Sequence, residues 1–343
     1  MKKITSCIKK LAPWAVAVLI FVYLFHKHPL HEIINSAATM NVPFFFSLAI
    51  LYFILMFLLD TYSIARILRL FGHRETMREM LPARGVTYLL MVVNYAAAQA
   101  AFAFYQYRRH GLPISKMLGI FGIIVIADLY MLVTLAFVTS FFTTWPFEVG
   151  GMNIANFVRI FAAAAYAAFA LFLVLKRWQA RIGWLGRFRQ NKFFILITTA
   201  RLSDYLAVGL ARLPIHVFIM VGMYAALFTF NARVPFLKVL ANIPLAYFIG
   251  ALPITPGGLG TSNAALVALF EPFVTSPAIA SGAISAGDLI FSFSLVWMFT
   301  NYAMKALTGL ICLKLVSKDL FKPTPEVPEE VAESQAPHVL GNL

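Results

Sequence analysis

Two aspartates lie in or beside long apolar stretches of this sequence, where an ionised side chain is costly. Asp128 stands near the middle of the apolar stretch 117–142, and Asp288 directly precedes the stretch 289–313. A carboxylate at the centre of a membrane span costs about 2.5–3.5 kcal/mol unless it is paired or hydrated. We therefore predict that both aspartates serve as proton relays or contact a polar substrate. A structural salt bridge is the alternative for each.

A second candidate site is a break in the chain at residues 251–264. Proline lacks the amide proton that a helix needs, and glycine loses much conformational entropy in a helix. If the break lies at membrane depth, protein or a polar cavity has to shelter its backbone groups, and broken helices of this kind form substrate sites in transporters. An ordinary turn between two spans is the alternative. The residues that break the chain are Pro253, Pro256, Gly257, Gly258 and Gly260.

Five further polar residues could contact a substrate. A guanidinium group binds phosphate through two parallel hydrogen bonds, so Arg108 and Arg109 could gather an anionic phosphate. Their alternative role is only to mark a cytoplasmic boundary. The amides of Asn94, Gln99 and Asn242 could contact the same substrate, or they could merely satisfy backbone groups that a broken helix leaves open.

The composition determines which elements must carry these residues. Hydrophobic residues make up 61% of the chain and charged residues 12%, about half the share that is usual in soluble proteins. Apolar runs without alternation exclude a transmembrane β-barrel and predict an all-α polytopic membrane protein. We predict about six full spans, at 11–25, 43–59, 117–142, 154–175, 213–230 and 289–313.

The net charge of +14 does not indicate a nucleic-acid partner, because most basic residues flank the apolar stretches. Lysine and arginine concentrate in cytoplasmic loops of membrane proteins. The segments 26–42 and 143–153 carry a single lysine between them and are predicted to be external. Both chain termini are predicted to be cytoplasmic, in the inner membrane of a prokaryote.

The same charge rule predicts a re-entrant hairpin in residues 86–107. Basic segments lie on both sides of this apolar stretch, so both of its ends should be cytoplasmic. The segment Asn94-Tyr-Ala-Ala-Ala-Gln99 suits a tight bend packed against other helices. An ordinary span whose two arginines violate the charge rule is the alternative.

The second half of the chain predicts a hairpin that enters from the opposite face, in residues 235–275. Two hairpins that enter from opposite faces are typical of inverted-repeat transporters. The two halves also share the similar tetrapeptides Gly111-Leu-Pro-Ile114 and Ala251-Leu-Pro-Ile254, a match that is only suggestive. Residues 193–212 predict an interfacial amphipathic helix, with Arg212 and His216 lining a cavity or extending to the cytoplasmic interface. Residues 1–320 are then one membrane domain, and 321–343 a disordered cytoplasmic tail.

The glycine-rich break resembles the motif of a known family, the transmembrane region of lysylphosphatidylglycerol synthases, also called the flippase-like domain. The similarity covers residues 10–315, and the motif is Pro253 followed by Pro256-Gly-Gly-Leu-Gly260. The sequence 96–111 resembles its first-half counterpart, and Asp128 falls where the family often has an Arg and Asp pair. The chain departs from the family at the alanines of 96–100, at Asn263 in place of an acidic residue, and in lacking an Arg beside Asp128.

The resemblance implies a stand-alone member without the aminoacyl-transfer domain, which translocates or presents a polar, anionic lipid between leaflets. A secondary transporter of a small solute and a non-catalytic membrane subunit of a lipid-modifying enzyme are the alternatives. We find no nucleophile, phosphate-loop or metal-ligand motif, so we expect no enzymatic activity, cofactor or metal. Membrane lipids are the expected partners, together with a lipid-modifying enzyme under the last alternative.

Overall fold

The computed structural model describes residues 2–146, 148–178 and 194–320, and these are mostly helical. The predicted tail 321–343 and most of the basic loop after residue 176 lie outside the described residues. The helices are α1 (Lys2–Lys27), α2 (Leu30–Ala38), α3 (Val42–Leu70), α4 (Met77–Val93), α5 (Tyr95–His110), α6 (Ile114–Thr139), α7 (Ile154–Trp178), α8 (Ile195–Thr199), α9 (Leu202–Thr229), α10 (Phe236–Ala251), α11 (Thr261–Phe270), α12 (Pro277–Ala280) and α13 (Ala286–Leu320). A short hairpin of β1 (Glu148–Val149) and β2 (Met152–Asn153) precedes α7.

The predicted all-α polytopic membrane class is confirmed. Within the described residues, α3, α6, α7 and α9 are long and apolar enough to cross a membrane. The pair formed by 11–27 of α1 and α2 qualifies as a fifth span, although it is bent by 74°. The sequence predicted about six spans, and the difference is α13, which is long but carries Asn301, Lys305 and several hydroxyl residues among its apolar ones.

Helices α4 and α5 pack against each other and are separated by one residue, Asn94. Asn94 has an extended backbone (φ −157°, ψ 117°), and its side-chain oxygen accepts a hydrogen bond from the Ala97 amide at 2.9 Å, which caps α5. A capping box of Thr76 and Glu79 starts α4. This helix pair lies where the first hairpin was predicted; the face from which it enters the membrane stays a prediction.

Helices α10 and α11 form a second packed pair, and a 3₁₀ turn at Pro256–Gly258 lies between them. The turn contacts α10, and both the turn and α11 contact α1. Gly257, Gly258 and Gly260 have φ values of 60°, 75° and 78°, a region that residues with a Cβ rarely adopt. The glycines therefore permit this break, which falls within the predicted second hairpin.

Residues 194–212 differ from the predicted interfacial helix. The structure contains a five-residue helix, α8, and places residues 202–212 in the first part of the 28-residue helix α9. The apolar sequence continues past Pro214 without a polar loop, so the helix that begins at Leu202 extends to Thr229. Residues 202–212 thus belong to a candidate span.

The chain divides into two compact units. The first comprises Met1–Met56, Leu129–Phe169 and Ile215–Ala303, and its core is aromatic, with Phe45, Phe230, Phe293 and Trp297 in contact through their rings. The second comprises Phe57–Asp128, Ala170–Pro214 and Met304–Leu343, and it contains buried charged residues.

Candidate functional site

Four charged residues meet inside the second unit, each from a different helix. Asp60 lies on α3, Arg84 on α4, Asp128 on α6 and Arg212 on α9. We call these four residues the charge network. Asp60, Asp128 and Arg212 lie in the interior of helices that are long and apolar enough to cross a membrane, well away from the helix ends.

Asp60 is the centre of the charge network. Its carboxylate accepts hydrogen bonds from Arg84 Nε at 2.9 Å, Arg212 Nη1 at 2.8 Å and the Tyr88 hydroxyl at 3.0 Å. Only 4% of the Asp60 surface is exposed. A buried carboxylate remains ionised only when partners replace its hydration, and three donors do so here.

Arg212 joins the two carboxylates. It donates from Nε to Asp128 Oδ1 at 2.9 Å and from Nη2 to Asp128 Oδ2 at 3.0 Å, in addition to its bond to Asp60. Paired bonds of this kind fix the orientation of both groups. Arg212 is therefore committed to the two aspartates rather than extended to an interface.

Arg84 uses fewer of its hydrogen-bond donors than Arg212 does, among the described residues. Among the described residues it donates from Nε to Asp60 and from Nη1 to the Gln99 side-chain oxygen at 3.3 Å, which employs two of its five N–H groups. The guanidinium also lies over the rings of Tyr88 and Phe102, at 5.7 and 5.8 Å from their centroids. The arrangement leaves hydrogen-bond donors available beside Gln99.

Gln99, on α5, adds one more hydrogen-bond donor to those that Arg84 leaves unused. Its side-chain nitrogen Nε2 is buried and has no hydrogen-bond partner among the described residues. Because the Gln99 oxygen accepts from Arg84, the amide is oriented with its nitrogen pointing elsewhere. Lys305 of α13 also interacts electrostatically with Asp60 and Arg84. The Gln99 amide and the remaining N–H groups of Arg84 are donors without acceptors among the described residues, so the site favours a group that accepts hydrogen bonds.

The other predicted residues of the second unit lie elsewhere on α5. Asn94 caps the helix. Arg108 and Arg109 lie half-buried in its last turn, where a positive charge is favourable to the helix dipole. Nine residues separate Arg108 from Gln99, which corresponds to about 14 Å along a helix. The structure thus joins Gln99 and Asp128 through the charge network and places the two arginines further along α5.

A polar cluster lies beside that last turn of α5. Gln106 Nε2 donates a hydrogen bond to the buried Glu75 Oε2. Burial raises the pKa of the Glu75 carboxyl. Burial, with Lys116 and His110 nearby, lowers the pKa of His73 to about 4. Burial therefore shifts both titrations towards the neutral forms.

Asn242 and Asp288, in the first unit, are engaged by protein groups. Asn242 accepts from Trp145 Nε1 at 2.7 Å and donates to the Leu269 carbonyl at 2.5 Å. The buried Asp288 carboxylate contacts His28 Nδ1 at 2.7 Å and accepts from the Ser285 hydroxyl. These contacts account for both side chains by packing and local hydrogen bonding.

The predicted glycine motif is in the first unit as well, beside the end of α10. A Cβ at Gly258 would stand 2.7 Å from the carbonyl oxygen of Gly250 and from the Ser262 hydroxyl. The next helix begins with the Gly260 amide donating to Asn263 Oδ1 at 3.3 Å, and Asn263 Nδ2 donates to Ser294 at 2.9 Å. Asn263, where the family usually has an acidic residue, thus accepts a hydrogen bond from the backbone at the start of α11.

Sequence reasoning missed most of the charge network. The sequence has no arginine beside Asp128, but the fold supplies one, because Arg212, 84 positions away, donates to the Asp128 carboxylate. Of the two roles predicted for Arg212, extension to the interface is wrong, since its guanidinium is buried and bound to two aspartates. Arg84 was not among the predicted site residues, and it is a buried residue of α4. One signal was available: opposite charges recur in or beside the apolar stretches, and such charges pair with one another.

Comparison with protein families gives an independent result. A family model described as the lysylphosphatidylglycerol synthase TM region matches residues 11–300 of the 343-residue chain. The chain belongs to this family. Membership in the lysylphosphatidylglycerol synthase TM family indicates a multi-pass membrane protein of lysylphosphatidylglycerol-related lipid handling. A comparison with curated proteins finds no match.

Proposed function

We propose that this protein translocates an anionic phospholipid between the leaflets of the membrane, or presents it from one leaflet to the other, without covalent chemistry. The observation that carries the proposal is the donor surplus beside the charge network. Gln99 Nε2 is buried without a partner among the described residues, and Arg84 next to it has N–H groups left over. Two adjacent donors at membrane depth call for an acceptor.

A phosphate oxygen fits this requirement. It accepts several hydrogen bonds at once, and guanidinium binds phosphate with matching geometry. The carboxylates of Asp60 and Asp128 hold Arg212 in place, so they limit the net positive charge while Arg84 remains available. A phospholipid headgroup could exchange its water for these donors while its acyl chains stay in the membrane.

Leaflet transfer of labelled lipid tests the proposal. Purified protein is reconstituted into vesicles that contain acyl-labelled phosphatidylglycerol, and a membrane-impermeant reductant bleaches the outer label at timed intervals. We expect wild-type protein to make all the label accessible, whereas protein-free vesicles retain about half. A wild-type rate equal to that of protein-free vesicles would overturn translocation.

Two substitutions at Gln99 connect the rate to the site. Gln99→Glu keeps the oxygen that faces Arg84 but replaces the free donor by an acceptor, so it should lower the rate by about tenfold, the effect of about 1.4 kcal/mol. Gln99→Met removes both groups and should slow transfer less. Arg66→Gln, an exposed position of α3, is the control. Equal transfer rates in Gln99→Glu and the wild type would show that the lipid does not pass the charge network.

A further inference from the structure

A cavity of about 700 Å³ opens in the first unit, and none of the predicted site residues lines it. It lies between the end of α6, the start of α7 and the start of α10, and its walls include Ser140, Thr143, Asn156, Arg159 and Lys238. The segment 143–153 is the one that the charge pattern predicts to be external. The cavity therefore belongs to the predicted external side of the protein.

Arg159 is held in the cavity wall with donors to spare. It donates to the Ser140 carbonyl at 2.6 Å, to the Ser140 hydroxyl at 3.3 Å and to Asn156 Oδ1 at 3.3 Å. Its guanidinium carbon stands 4.5 Å from the Phe141 ring centroid. These bonds use three of its five N–H groups, so two remain within the part of the chain that the structure describes.

Lys238 is the second cation of the cavity. Its ammonium donates to the Thr144 carbonyl and lies 4.2 Å from the centroid of the Phe273 ring. Among the described residues, neither Lys238 nor Arg159 has a carboxylate partner, and the described residues that line the cavity include no aspartate or glutamate. Two half-buried cations thus face the cavity without a counter-charge.

Two helix N-termini reinforce this positive character. Helix α7 begins at Ile154 and α10 at Phe236, and residues of the first turn of each line the cavity. Unpaired amides and the helix dipole make such termini favourable for anions. Helices of 25 and 16 residues are long enough for this effect.

Thr143 supplies the independent indication of a ligand. Its side chain lines the cavity, the residue is only 7% exposed, and its hydroxyl has no hydrogen-bond partner among the described residues. A buried hydroxyl without a partner is unfavourable, because nothing replaces the hydrogen bonds it made to water. A ligand that offers acceptor oxygens would remove this cost.

We propose that this cavity binds a phosphate group through Arg159, Lys238 and Thr143, and that its source is the headgroup of an anionic phospholipid in the adjoining leaflet. The lipid is favoured over a soluble phosphate ester because Phe141 and Phe142, at the cavity, are 56% and 66% exposed and can contact acyl chains. This deepens the proposed function by adding a second lipid site, but binding does not require translocation.

Equilibrium binding to the full-length protein in detergent tests this site separately from transfer. The probes are dihexanoyl phosphatidylglycerol, its acyl-free headgroup glycerophosphoglycerol, and inorganic phosphate. We expect the lipid to bind, and Arg159→Gln or Lys238→Gln to weaken its affinity by about tenfold. Arg233→Gln removes an exposed cation that does not line the cavity, so it should leave the affinity unchanged.

Thr143→Val guards against a folding artefact, because Arg159 also holds the end of α6. Valine keeps the shape of threonine without the unpartnered hydroxyl, so the ligand-free variant should unfold at an equal or higher temperature while binding the lipid more weakly. An affinity that is unchanged in all three cavity variants would overturn the site. Glycerophosphoglycerol binding as tightly as the lipid would overturn the lipid source. Failure of leaflet transfer alone would leave the site standing.

Discussion

Arg212 binds both oxygens of Asp128, from Nε at 2.9 Å and Nη2 at 3.0 Å, across 84 positions of sequence. The remaining nitrogen of the same guanidinium, Nη1, donates a hydrogen bond to Asp60 Oδ1 at 2.8 Å. All three nitrogens of Arg212 thus have carboxylate partners, whereas Arg84 retains donors among the described residues. The two arginines therefore differ: Arg212 orients both aspartates, and under the proposed function Arg84 is the one that binds the phosphate.

The first prediction concerns that geometry. Arg212→Lys keeps the charge, but an ammonium group cannot reproduce the planar pair of bonds to Asp128. We expect the free energy of unfolding to fall by about 1–3 kcal/mol and leaflet transfer to slow with it. Thermal unfolding of the purified protein and the vesicle assay measure the two effects.

Arg201→Lys provides the control, since Arg201 is an exposed residue just before α9. Asp128→Asn should also destabilise the protein, because it removes one of the two carboxylates that compensate the buried Arg212 and leaves only Asp60. Unfolding temperatures for Arg212→Lys and Asp128→Asn that match the wild type would contradict a structural role of this pair.

The second prediction concerns the turn at Pro256–Gly258. Gly258→Ala places a Cβ 2.7 Å from the Gly250 carbonyl oxygen at a φ of 75°. We expect the free energy of unfolding to fall by about 2–4 kcal/mol. Gly282→Ala is a matched control, with φ 74° and no atom within 4 Å of its Cβ, and should cost only about 1–2 kcal/mol. Equal losses in the two variants would show that the close approach at Gly258 contributes nothing.

The sequence was sufficient to predict the features of the fold that depend on local residue type. Proline and glycine at 253–260 forbid a regular helix whatever surrounds them, and the break is found there. The bend at Asn94 follows equally from an amide that caps the next helix. The membrane class follows from composition alone.

What could not be predicted was which side chains meet. Asp128 was singled out for its cost at membrane depth, but its partner Arg212 lies on another helix, and the sequence does not give the rotation of either helix. Asn242 shows the converse. Two roles were predicted for its amide, contact with substrate or satisfaction of open backbone groups, and the fold favours the second by placing Trp145 and the Leu269 carbonyl against it.

The third prediction concerns topology. The charge pattern predicts that residue 110, after the first hairpin, is cytoplasmic and that residue 148 is external. Single cysteines replacing His110 and Glu148, both exposed, should therefore react with an impermeant maleimide from opposite sides of the membrane. Labelling of position 110 from the outside would contradict a re-entrant α4–α5 pair and the inverted repeat.

The fourth prediction concerns acid. His73 has a folded-state pKa of about 4, below its ordinary 6.5, because of burial and the nearby Lys116 and His110. Between these values the unfolded chain binds a proton that the folded protein does not, so the free energy of unfolding falls as the pH drops through this window. Glu75, whose pKa is raised, acts in the opposite sense as the pH falls through its raised value towards its ordinary 4.5.

Two variants separate these opposing terms. His73→Gln should flatten the loss of stability in acid, and Glu75→Gln should steepen it. Thermal unfolding followed between about pH 4 and pH 8 measures both slopes. Identical pH profiles for His73→Gln and the wild type would mean that folding does not shift the pKa of His73.

The last prediction concerns Arg108 and Arg109 at the end of α5. Their distance from Gln99 along the helix, about 14 Å, places them outside the charge network, and under the proposed function they would collect the anionic headgroup. Replacing both by alanine should slow transfer of anionic phosphatidylglycerol several-fold more than that of zwitterionic phosphatidylcholine, because a net negative charge is attracted to them over the Debye length of about 10 Å at 0.1 M salt. Raising the salt concentration should reduce the wild-type preference in the same way. If the double variant slows both lipids equally while the labelling of position 148 is unchanged, the two arginines do not gather the anionic phosphate.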